Sequence, residues 1–150
     1  MANVLASDDN IRIAILGGGG MGKTSTALHI LHHSAVKARY GEVRYFVGCD
    51  SVTSGGALAL LILQIIQHKI APNENSSDVL YRALSSYPCI LLLLDNFETV
   101  WNSESNRADI RELLSKCQPT QRIADHHCTR RHTALWCQVD VRGLSSSSIT

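Results

Sequence analysis

The chain has 150 residues, 45% hydrophobic and 18% charged, with a formal net charge of +1; that is room for one compact globular domain and excludes a disordered polyelectrolyte. Basic residues form no long run, which argues against nucleic acid or a membrane surface as partner, and the longest apolar run, 57–63, is too short to span a bilayer. The five cysteines (Cys49, Cys89, Cys117, Cys128, Cys137) are odd in number and hold no C-x-x-C pair, and residues 1–10 show no secretory pattern, so a reducing, cytoplasmic setting is expected.

The predicted elements alternate. Ile11 to Leu16 is a short apolar run that ends in four glycines, as a buried parallel strand does. Thr24 to about Val36 reads as one helix with Ala27, Leu28, Leu31 and Ala35 on one side. After Gly41, Val43 to Cys49 is a second strand, and Asp50, Ser51 and Thr53 are candidate caps for the next helix. Gly56 to Lys69 is predicted helical, with Leu58, Leu61, Ile62, Ile65 and Ile66 as its buried stripe. Ala71 to Ser77 is a loop and Asp78 to Ser86 a short helix. Cys89 to Leu94 is apolar throughout, so it is expected to be central and covered on both faces. Asp95 to Arg107 reads as a connecting loop and Ala108 to Lys116 as a further helix. This order implies right-handed crossovers and a parallel α/β sheet.

From Gln118 the periodicity fades into clusters such as His126-His127-Cys128 and Arg130-Arg131-His132. The chain divides accordingly into an extension (1–10), a core (11–116) and an atypical tail (117–150). Only Leu135 to Val141 in the tail resembles a strand, and Gln138 and Asp140 on one face suit a sheet edge with one wet side. The His/Cys cluster matches no standard zinc spacing.

Gly17-Gly18-Gly19-Gly20-Met21-Gly22-Lys23-Thr24 fits G-x-x-x-x-G-K-[ST] in full. Glycines let the backbone take positive φ and approach phosphate oxygens closely. Successive N–H groups form an anion nest at the positive end of a helix. Lys23 supplies a point charge for the β- and γ-phosphates, the Thr24 hydroxyl suits Mg²⁺, and Ser25 completes the nucleotide-binding set. A dinucleotide reading at Gly17, Gly19 and Gly22 leaves Lys23 and Thr24 unexplained and finds Asp50 too late for a ribose contact. Ile90 to Asp95 is the matching Walker-B pattern, an apolar strand ending in a carboxylate that can hold Mg²⁺. Glu98 is the candidate catalytic residue, placed to polarise a water; its competing reading is a solvated loop glutamate. No guanine-specifying Asn-Lys-x-Asp exists, so ATP and ADP are favoured. The expected fold is a three-layer, parallel-sheet P-loop NTPase. A small P-loop kinase and a non-catalytic interaction module are the alternatives.

Residues 11–33 (IRIAILGGGGMGKTSTALHILHH), 44–52 (RYFVGCDSV) and 89–101 (CILLLLDNFETVW) resemble the nucleotide-binding domain of STAND-class signalling ATPases, of the NB-ARC and NACHT kind. The resemblance covers about two-thirds of the chain and implies an ADP/ATP switch whose opened form self-assembles. It also implies a longer segment before the first strand, an apolar sensor strand ending in Arg between the glycine-loop strand and the Asp95 strand, and further closing subdomains. By that standard the domain is incomplete at both ends. Permitted codons for residues 124–148, read one nucleotide later, allow an apolar strand ending in Arg, so a shifted frame is one origin for the tail and a divergent extension the other. In either case Leu135 to Val141 is the available partner for the first strand.

Overall fold

The computed structural model describes residue 2 and residues 12–16, 20–102, 104–116 and 132–139. Its strands are β1 (Arg12–Leu16), β2 (Arg44–Gly48), β3 (Cys89–Asp95) and β4 (His132–Val139). The helices are α1 (Lys23–Leu31), α2 (Ser34–Tyr40), α3 (Gly55–Ile65), α4 (Ser76–Ser86), α5 (Glu98–Trp101) and α6 (Glu104–Lys116). All strand pairs are parallel, and the sheet order is β1-β4-β3-β2.

The alternation of β3 explains the layering. Successive side chains of a strand point to opposite faces. Ile90, Leu92 and Leu94 enter a core with Val47, Leu58, Ile62, Leu80, Ile110 and other apolar residues of α3, α4 and α6. Leu91 and Leu93 enter a second core with Ala27, Ile30, Leu31, Val36 and Tyr40 of α1 and α2. Helices therefore cover both faces, and β3 is buried along its length, as its unbroken apolar run predicts.

Three expectations need correction. The helix predicted from Thr24 to Val36 is two helices. His33 is extended (φ −63°, ψ 140°), and its Nδ1 accepts a hydrogen bond from the Ala35 N–H at 3.2 Å, so it caps a new helix. The Arg44 guanidinium donates to the Leu31 and Gly41 carbonyls, which ties down the ends of both helices. Next, the loop predicted over Asp95 to Arg107 contains α5 and the first turn of α6. Finally, the tail strand is not an edge. It begins at His132, pairs with β1 from Arg12↔Leu135 to Leu16↔Val139, and pairs with β3 from Cys89↔His132 to Leu94↔Cys137. Filling the gap between β1 and β3 satisfies two rows of backbone donors and acceptors, which outweighs a pattern that favours an edge. Asp140, on which the wet-edge expectation rested, lies outside the described residues, as do Gln118 to Arg131.

Caps are local and testable. Ser54, rather than Asp50, Ser51 or Thr53, caps α3 by accepting from Ala57 N–H at 3.1 Å. Asn75 caps α4, its Oδ1 accepting from Ser77 and Asp78 N–H at 2.9 and 3.2 Å. Asn75→Ala is expected to lower stability by about 1 kcal/mol in urea titration; an unchanged midpoint would mean that packing alone holds the helix.

Candidate functional site

Because every strand is parallel, all four C-terminal ends open on one edge, where ligands of open α/β sheets bind. The glycine-rich segment leaves β1 at that edge. Gly17, Gly18 and Gly19 lie outside the described residues. Gly20 and Gly22 have φ of +77° and +72°, the left-handed region where only glycine sits at no steric cost. A Cβ at either position would meet no atom of the described residues within 4 Å. The glycine requirement is therefore one of backbone dihedral. Gly22 is the N-cap of α1, and its carbonyl accepts from Thr26 N–H at 2.9 Å. Among the described residues no side chain caps this helix, whose positive end suits an anion. Lys23 and Thr24 follow in the first turn, half-buried; Met21 and Ser25 are exposed.

The second half of the site comes from β3. Asp95, its last residue, is only 6% exposed. The Thr24 hydroxyl donates to both of its carboxylate oxygens, at 3.0 Å to Oδ1 and 3.1 Å to Oδ2. Two residues 71 positions apart, each predicted as a metal ligand, are thus brought into contact. Hydroxyl and carboxylate oxygens are hard donors, the set that suits Mg²⁺.

No protein-family model matches the chain, and no curated protein matches it. Among solved structures it is similar to the Aeropyrum pernix ORC2 protein, whose structure was determined as ADPNP-ADP complexes. The TM-score is 0.63 at 20% identity, over 94% of this chain. The fold is that of a P-loop NTPase. This chain spans 41% of the length of the ORC2 chain.

Within this P-loop fold, Glu98 is the first residue of α5. Its Oε2 is buried and has no hydrogen-bond partner among the described residues, and none of the hydrogen bonds described joins it to Thr24 or Asp95. Phe97 is buried beside it in the core that also holds Leu94, with its ring 6.1 Å from that of Trp101. His126, His127 and Cys128 lie outside the described residues. No helix among the described residues is long and apolar enough to cross a membrane.

Sequence reasoning missed Asn96. It follows Asp95 with φ +53°, and its side-chain amide donates to Asp50 Oδ1. An Asn directly after an apolar strand is a turn signal, since Asn tolerates left-handed backbone. Its partner, 46 residues earlier, has no local signature.

Proposed function

We propose that this domain binds ATP and ADP with Mg²⁺, as the nucleotide-binding domain of a STAND-type signalling ATPase of the NB-ARC and NACHT kind. The single observation that carries nucleotide binding is the Thr24–Asp95 contact beside the left-handed glycine turn. The ADPNP-ADP complexes of the ORC2 structure support an adenine nucleotide. The STAND assignment rests on the sequence resemblance of residues 11–33, 44–52 and 89–101.

In this reading, backbone N–H groups of Gly17 to Gly22 cradle the phosphates at the N-terminus of α1, with Ser25 in its first turn. Lys23 supplies the neutralising charge. Thr24 and Asp95 hold Mg²⁺, which when bound offsets phosphate charge. Glu98, with one buried carboxylate oxygen that has no hydrogen-bond partner among the described residues, is the residue to polarise an attacking water. β4 occupies the slot where the resemblance expects an apolar sensor strand, yet it carries His132, Thr133 and Gln138 in place of an unbroken apolar run. Turnover by this chain is therefore negligible, and ATP and ADP are poorly distinguished. The longer relatives would switch by exchanging ADP for ATP and self-assemble in the cytoplasm, with no nucleic acid or membrane as partner.

Titration with ATP, ADP and GTP, with and without Mg²⁺, tests the assignment. Tight Mg²⁺-dependent binding of ATP and ADP is expected, with weaker GTP. Asp95→Ala should remove the Mg²⁺ dependence; retention of that dependence, or GTP binding tightest, would overturn the reading.

A further inference from the structure

The turn after Asp95 is held from outside the site. Asn96 is one of three residues other than glycine with positive φ among the described residues, and it alone lies at the C-terminal edge of the sheet. A left-handed residue at this point ends the strand and redirects the chain, so that Asp95 stays on the sheet and Glu98 opens α5 two residues later. Left-handed backbone carries a cost for any residue with a Cβ, and such a turn persists when its surroundings hold it.

The surroundings here are specific. The Asn96 amide donates to Asp50 Oδ1. The main chain repeats the link, because the Cys49 N–H donates to the Asp95 carbonyl at 2.8 Å, one step past the last β2–β3 register pair, Gly48↔Asp95. Asp50 is itself on a fixed segment. Val52 is buried, and its N–H returns to the Cys49 carbonyl at 3.1 Å. The Asn106 amide, from α6, donates to the Thr53 carbonyl, and Ser54 caps α3. Asp50 therefore stands on a segment anchored at both ends, and Asn96 is drawn to it.

We infer that Asn96 is a positioning residue for the metal-binding carboxylate, braced by Asp50. The inference rests on the Mg²⁺–nucleotide reading of the site. Asp95 must keep one carboxylate orientation to serve Thr24 and a cation together, and its χ angles depend on where its backbone ends. Groups that orient a metal ligand are typically worth about 10–100-fold in metal affinity.

The test separates orientation from folding. Asn96→Gly removes the amide while keeping a residue at ease at φ +53°. ADP affinity is measured with and without Mg²⁺ for the parent chain and the variant. The expected result is that the Mg²⁺-dependent gain in ADP affinity falls about tenfold or more, while affinity without Mg²⁺ is unchanged. Asn96→Asp alone should lose the gain by setting two carboxylates together. The exchange Asp50→Asn with Asn96→Asp should recover most of it, since amide and carboxylate are then reversed at constant charge. A parent chain without Mg²⁺-dependent binding would overturn both this inference and the assignment of the site. A parent that shows it, with Asn96→Gly unchanged or weakened equally with and without Mg²⁺, would overturn the inference alone, as would an exchange variant no better than Asn96→Asp.

Discussion

Lys23→Ala is expected to erase the nucleotide-dependent stabilisation of this domain. Lys23 is the first residue of α1, directly after the left-handed Gly22, and it is half-buried at the positive end of the helix. A compact ammonium there meets the nucleotide phosphates at close range, in a setting that screens charge less than water does. A ligand present at 100 times its dissociation constant stabilises a folded domain by about 2.7 kcal/mol. For a chain of this size that is a melting shift of roughly 5–10 °C. Thermal melts with and without saturating Mg²⁺–ADP should show the shift in the parent and none in Lys23→Ala. An equal shift in both would remove Lys23 from the site.

The largest loss of stability is expected from Leu92→Ala. Leu92 is fully buried in the middle of β3, in the core that also holds Leu58, Ile62 and Leu80. Its truncation removes transfer free energy and leaves a cavity that neighbouring strands cannot collapse into, at a cost of about 2–5 kcal/mol. Leu93→Ala, on the opposite face with Ala27, Val36 and Tyr40, should cost a similar amount. Chemical denaturation of both variants reads the two helical layers separately. A loss below about 1 kcal/mol for either would mean that the layer on that face is not close-packed. Neither side chain touches the nucleotide in this reading, so affinity at low temperature should survive both substitutions in the folded fraction.

The site was legible in the sequence to the extent that its chemistry is local. Gly20 and Gly22 stand where the backbone has positive φ, Thr24 falls in the first helical turn and Asp95 ends a buried strand, as the spacing predicted, while Lys23, expected just before the helix, is its first residue. Contact between Thr24 and Asp95 was implied only by pairing two motifs, and the structure supplies it. The pairing of Asn96 with Asp50 went unseen because a single amide–carboxylate hydrogen bond leaves no periodic trace. The helix break at His33 was missed for a related reason. The apolar positions on both sides of it keep nearly helical spacing, while the groups that stabilise the break are a histidine ring and an arginine on the following strand.

By itself the sequence determined the alternation of strands and helices, the two-sided burial of β3 and the position of the glycine-rich turn before α1. These arise from side-chain period, apolar content and the steric freedom of glycine, all properties of neighbours along the chain. Only the tertiary structure decided that His132–Val139 lies between β1 and β3, that the Thr24 hydroxyl meets the Asp95 carboxylate, and that Asn96 is braced on Asp50. Each of these joins groups far apart in sequence. The first two are chosen because, once the sheet is assembled, a backbone row or a buried carboxylate must find its hydrogen-bond partner wherever the fold has placed one.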